Sequence, residues 1–204
     1  MALTKGRAKE LALRWLDEAT LNGQAASSEL TADYTDKFDY MMYNVLVYIA
    51  AIFRLRGSFV VKPEECEKMG GFYRVQLPED FMGFNRVIVY NDTASEEIPD
   101  FRRESTDVYL IPDTYFIEGT TVEFIYWRSP KKVEIDALDT TELEVRPKAE
   151  QLVPLRLAIE ATAGSDETNA ISAYLEGKFS NMVNNLLGDE NDYSGYAVER
   201  VYSI

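Results

Sequence analysis

Val122-Glu123-Phe124-Ile125-Tyr126-Trp127-Arg128-Ser129-Pro130 is rich in β-branched and aromatic residues and then stops at a proline. Val122, Phe124 and Tyr126 fall on one face, and Glu123, Ile125 and Trp127 on the other, which is the period of a β-strand. Reading back toward the N-terminus, the same period recurs in shorter runs. Val75 and Leu77 alternate with Arg74 and Gln76, Val87 and Val89 with Arg86 and Ile88, and Val108 and Leu110 with Asp107 and Tyr109. Turn signals at Gly70-Gly71, Pro78-Glu79-Asp80, Asn91-Asp92 and Pro112-Asp113 separate these runs. The period of two starts near Phe59 and is closed by Ser129-Pro130. Residues 58–133 are therefore expected to form a small antiparallel sheet of about four to six strands.

On both sides of this segment the period is helical. Ala8, Leu11, Ala12, Trp15, Leu16 and Ala19 mark one face of a helix over residues 4–20, ended by the loop Asn22 to Ser28. A second helix is predicted over residues 34–56, with Phe38, Met41, Met42, Val45, Leu46, Ile49, Ile52 and Phe53 on its stripe. At 1.5 Å per residue it would run about 33 Å. Tyr34, Tyr40, Tyr43 and Tyr48 widen that stripe, which suggests a central helix. Arg54 and Arg56 suit the last turn, where cations favour the helix dipole, and Gly57 suits the stop.

Beyond the sheet, an acidic connector from Glu134 to Glu144 leads to Pro147, expected to open a third helix. Leu152, Leu155, Ile159 and Ala163 form its stripe, and Pro154 should kink it or mark where its regular part begins. Gly164-Ser165 reads as a stop followed by a cap. A fourth helix over residues 166–187 presents Ile171, Leu175, Phe179, Met182, Val183, Leu186 and Leu187, and Gly188 to Asp192 should end it. The expected fold is α+β: a four-helix bundle-like core made of residues 1–57 and 134–188. A small antiparallel β domain (58–133) is inserted between helices two and three, and residues 189–204 form a C-terminal arm.

Composition narrows the function. The 204 residues carry 21 Lys and Arg against 35 Asp and Glu, a formal net charge of -14, with no histidine. This opposes a nucleic-acid grip, which needs clustered cations to displace counterions from phosphate. Lack of histidine removes the commonest general base and metal ligand. The charge is uneven: residues 1–57 balance at seven of each sign, residues 58–133 carry nine bases and fourteen acids, and residues 134–204 five and fourteen. Cys66 is the only cysteine, so no internal disulfide can form and a reducing compartment is expected. No apolar run approaches the roughly 18 residues of a membrane span, and the basic N-terminus lacks the features of a signal peptide.

Motifs that could carry chemistry are weak. The acidic pairs Glu64-Glu65, Glu79-Asp80, Glu96-Glu97 and Asp166-Glu167 are adjacent in sequence, so their members do not face each other, and they read as solvated turns and helix starts. Glu190 to Gly195 looks like the start of a calcium loop, but its twelfth position is Val201 rather than a bidentate glutamate. Cys66 sits among Glu64, Glu65 and Glu67, which raises a thiol pKa and argues against a nucleophile. Asn91-Asp92-Thr93 matches a glycosylation acceptor that would matter only in a secreted chain. Catalytic residues, metal ligands and cofactors are expected to be absent. The tail is different, because Tyr193, Tyr196, Val198, Val201, Tyr202 and Ile204 follow a polar break. Tyr196, Val198, Tyr202 and Ile204 share a strand face, interrupted by Arg200, and the tail packs on its own domain, serves as an arm for a partner's sheet or groove, or stays disordered.

Two phrases in this order of elements point to a family. Leu77-Pro78-Glu79-Asp80-Phe81 follows an early strand, and Tyr126-Trp127-Arg128-Ser129-Pro130 closes the sheet before the third helix. In both phrases, and in element order over nearly the whole chain, the sequence resembles the head–tail connector (portal adaptor) proteins of tailed bacteriophages. The long acidic connector and the tyrosine-rich second helix depart from the family pattern. The resemblance implies a structural virion protein and not an enzyme. It would form a ring, expected to be a dodecamer, beneath the portal, extend the DNA channel and join head to tail. The implied partners are the portal protein, a stopper or tail-completion protein, and further copies of the chain. DNA would pass without specific binding, assembly would occur in the host cytoplasm, and the arm at Tyr193 to Ile204 would reach the portal. An acidic wall suits such a channel, since it repels phosphate. Another phage neck or tail-completion protein is the nearest alternative. A carboxylate-only glycosidase, needing two acids about 5–10 Å apart in a cleft, is a distant one.

Overall fold

A computed structural model describes residues 2–19, 28–91, 95–98, 102–105, 108–115, 119–163 and 169–193. The chain divides into a helical unit, from Met1–Phe53 with Lys132–Ile204, and a sheet unit, Arg54–Lys131.

In the helical unit, α1 spans Lys5–Ala19, α2 Ser28–Phe53, α3 Leu152–Thr162 and α4 Asn169–Tyr193, with a 3-10 turn at Pro147–Ala149. Leu152, Val153, Pro154, Leu155, Leu157, Ala158 and Ile159 are all buried. An eleven-residue helix buried around nearly its whole circumference is itself the centre of the core. α1, α2 and α4 each pack against it. They contribute Ala8, Ala12 and Leu16 from α1, Phe38, Met42, Val45, Leu46 and Ile49 from α2, and Leu175 and Phe179 from α4.

The sheet unit holds β1 (Leu55–Val61), β2 (Glu67–Met69), β3 (Phe72–Gln76), β4 (Phe81–Tyr90), β5 (Ser95–Glu97), β6 (Arg102–Arg103), β7 (Val108–Pro112) and β8 (Thr121–Arg128). They form two four-stranded sheets, ordered β1-β8-β4-β5 and β2-β3-β7-β6, and every described pairing is antiparallel. Val75 and Ile111 from the second sheet meet Val87, Val89, Val122 and Phe124 from the first in one apolar cluster. The two sheets thus bury their inner faces against each other.

This corrects the expected fold, a four-helix bundle-like core carrying one small inserted sheet. The middle of the chain is two packed sheets with their own core. The strands that the period missed are β2, β5 and β6, which read Glu-Lys-Met, Ser-Glu-Glu and Arg-Arg. β2 and β5 are exposed and without apolar alternation, so their pairing comes from backbone hydrogen bonds to neighbours rather than from side-chain pattern. The bundle fails for a different reason. Four helices of matched length would each expose one face, whereas α3 exposes almost nothing and the others surround it.

Smaller differences have local causes. α2 starts at Ser28 and stops at Phe53, before both arginines. Arg54 takes the left-handed conformation, φ 44°, and ends the helix there, so that β1 begins one residue later. Gly57 is inside β1, and a Cβ on it would lie 2.7 Å from Cζ of Tyr126 on the neighbouring strand. Its role is to admit that ring. In β7 the buried residues are Tyr109 and Ile111, with Val108 and Leu110 half-buried, the reverse of the expected face. Pro154 is the third residue of α3, in the first turn where its missing N–H is tolerated, so it does not interrupt the helix. α4 runs through Gly188 to Tyr193.

Candidate functional site

The two phrases that carry the family resemblance are far apart in sequence, and the sheet unit brings them into contact. β4 begins at Phe81, which pairs with Arg128 near the end of β8. The Tyr126 hydroxyl donates to Oδ1 of Asp80 at 2.8 Å, and the Ser129 amide donates to the Asp80 carbonyl at 2.7 Å. The Phe81 amide closes the preceding turn on the Pro78 carbonyl at 3.1 Å. The Phe81 and Tyr126 rings stack at 5.7 Å between centroids, and Phe59 meets Tyr126 edge-on at the same distance. Burial first, and then the bond to Asp80, together push the Tyr126 pKa up to about 12. The phenol therefore keeps its proton at neutral pH. It can fasten two turns but is poorly suited to proton transfer.

In the helical unit the acidic connector is fastened to the start of α1. Lys5 is 1% exposed, and its ammonium donates to the carbonyls of Ile135 at 2.6 Å and Ala137 at 2.9 Å. It also pairs with Asp39 of α2 at 3.1 Å. Lys9 joins Asp39 at 3.2 Å and Asp139 at 2.8 Å. Burial opposes the charge on Lys9, but the two carboxylates outweigh it and hold the pKa above the ordinary lysine value. Backbone bonds from Lys5 to Thr141 and from Gly6 to Asp139 complete the junction. A Cβ on Gly6 would meet Cβ of Asp139 at 2.8 Å, so the connector lies directly on the α1 backbone. Sequence reasoning missed this cluster. The available signal was Lys5 itself, which shares helical spacing with Ala8 and Ala12 and so puts a charge on the inward face of α1.

A recess of about 500 Å³ opens beside α1, with Leu3, Leu11, Pro147 and Leu186 as its apolar walls. Lys148, Glu150 and Gln151 complete the lining. Between α2, α3 and α4, Arg156 lies over the Tyr48 ring at 4.3 Å and is bonded to Glu160 and Glu176, each at 3.0 Å. Large apolar side chains stand exposed on this unit, including Tyr40 at 68% and Leu138 at 74%.

Of the expected arm residues, Tyr193 is the last residue of α4. Tyr196, Val198, Val201, Tyr202 and Ile204 lie outside the described residues. The carboxylates Glu64, Glu65, Glu79, Glu96 and Glu97 are exposed, and Asp80 is committed to Tyr126; Asp166 and Glu167 lie outside the described residues. Cys66 is half-buried, and burial first, then Glu65, pushes its thiol pKa up, in the direction expected from its acidic neighbours. Among the described residues no three His, Cys, Asp or Glu side chains are grouped to hold a metal ion, and no helix is long and apolar enough to cross a membrane. The chain matches no protein-family model and no curated protein.

Proposed function

We propose that the chain is a structural protein of a tailed-phage neck, a head–tail connector that forms a ring beneath the portal and extends the DNA channel. The observation that carries this reading is the meeting of the two family phrases. Residues 77–81 and 126–130 form one fastening through Asp80, Tyr126 and Ser129, so they act as a single structural unit in this chain. Two further features support it. The net charge of -14 suits a surface that DNA slides past without adhering. Exposed tyrosine and leucine side chains on a strongly acidic chain suit protein partners better than a charged ligand. Its partners in this reading are the portal, a stopper or tail-completion protein and further copies of itself. Its place is the virion, after assembly in the host cytoplasm.

The test is to mix the purified protein with portal rings and image the product by negative stain. A second ring is expected on the portal's outer face. Deletion of Tyr193–Ile204 is expected to leave circular dichroism and the unfolding midpoint nearly unchanged while abolishing that second ring. A chain that stays monomeric beside the portal overturns the reading. Co-assembly that survives the deletion removes the arm from it.

A further inference from the structure

The helical unit carries an apolar projection and an apolar recess, and both are built on α1. The projection is the connector. Leu138 is 74% exposed and Ile135 51%, yet the backbone bearing them is held firmly. Lys5 Nζ is bonded to the Ile135 and Ala137 carbonyls, and Gly6 N–H to that of Asp139. Within the loop, Ala137 N–H returns to Glu134 and Thr141 N–H to Leu138. Aliphatic side chains presented on a fixed backbone lose little freedom when a partner covers them, which is the condition of an interface anchor. The recess, with its walls of Leu3, Leu11, Pro147 and Leu186, has the volume to take such side chains.

Their placement differs by most of a half-turn. At about 100° per residue, Gly6 and Lys9, which hold the connector, lie roughly 140–160° around α1 from Leu11, which lines the recess. Charge differs in the matching sense. Residues 134–144 carry five carboxylates and no base. The flank beside Leu11 has the exposed Arg7 and Arg14, with Lys148 in the recess, against Glu10 and Glu150.

The geometry points to a head-to-tail contact between copies of this chain, in which Leu138 and Ile135 of one copy enter the recess beside α1 of the next. Different surfaces meet in such a contact, so each copy keeps one projection and one recess free for further neighbours, and the series ends only by closing into a ring. The inference rests on the ring reading proposed above and names the surfaces that would build it.

The test uses the full chain with Cys66→Ser as background, adding Leu138→Cys, Gln151→Cys or both, and a short bismaleimide. Mixed single-cysteine chains are expected to give covalent dimers only, and the double-cysteine chain a ladder of rising mass. In sedimentation, Leu138→Asp is expected to weaken self-association at least tenfold with an unchanged circular dichroism spectrum. Three outcomes overturn the inference. A double-cysteine chain that stops at dimers means a two-fold pairing. Oligomers of the wild type with no cross-link, or with full assembly of Leu138→Asp, leave the ring but remove these surfaces from it. Cross-linking that appears only after residues 194–204 are deleted assigns the recess to the chain's own C-terminal segment. A wild type that never associates, with portal or without, defeats the ring reading as well.

Discussion

At the scale of residues, two polar side chains hold together segments that are far apart in sequence. Tyr126 is one. An unfolded tyrosine ionises near pH 10, whereas the folded Tyr126 holds its proton to about 12 because it is buried and bonded to Asp80. Below pH 10 both states keep the proton and the contribution is complete. Between 10 and 12 the unfolded chain sheds it first, so stability falls as pH rises through that window. Tyr126→Phe is expected to cost about 1 kcal/mol at pH 8 through the lost hydrogen bond. Its urea midpoint should also fall less than that of the wild type between pH 9.5 and 11. Lys5 is the other. Lys5→Met leaves two carbonyls without their donor and Asp39 with Lys9 alone. Removing one partner of a buried pair is expected to cost about 3 kcal/mol, read as a lower denaturation midpoint.

At the scale of elements, the long periodic segments were readable and the short polar ones were not. α1 follows its stripe of Ala8, Ala12 and Leu16 to within a residue or so of the expected ends. β8 follows Val122, Phe124 and Tyr126, which are all buried, and its other face adds the buried Ile125 between the half-buried Glu123 and Trp127. β2 and β5 were invisible, since exposed Glu-Lys-Met and Ser-Glu-Glu carry no record of their neighbours. The end of α2 was misplaced because Gly57 looks like a helix stop. Its glycine is required instead by the Tyr126 ring across the β1–β8 pair. Gly57→Ala is therefore expected to destabilise the sheet unit by about 1–3 kcal/mol, as overpacking does. Thermal unfolding of the variant checks this, and Tyr126→Phe should not relieve the loss, since the clash is with ring carbons. Of the candidate surfaces, the exposed leucine of the connector was present in the sequence. Its fixation by a lysine 133 residues earlier was not, because no local pattern links Lys5 to Leu138.

At the scale of the whole molecule, the two units differ in how the chain supplies them. The sheet unit is one continuous stretch, Arg54–Lys131, with its own apolar cluster. The helical unit is assembled from two stretches, and its central helix α3 comes from the second. A fragment of residues 54–131 is expected to show cooperative denaturation and a strand-type circular dichroism spectrum by itself. A fragment of residues 1–53 should not be cooperatively folded, because the helix its apolar stripes face is missing. A disordered 54–131 fragment would argue against the division.

The same discontinuity sets an order of events on the ribosome. The apolar faces of α1 and α2 emerge before α3 and lack its cover until Leu152 to Ile159 have been made, about a hundred residues after the end of α2. At roughly 5–20 residues per second that is a wait of some 5–20 seconds. The sheet unit finishes emerging within that interval and needs no later residue, so it is placed to fold first while the earlier helices still wait for their centre. The nascent chain thus passes through a stage in which the helices made before the sheet unit are less protected than the sheet unit itself. Holding those helices clear of aggregation is a task for the cell's chaperones rather than for any contact in the finished fold.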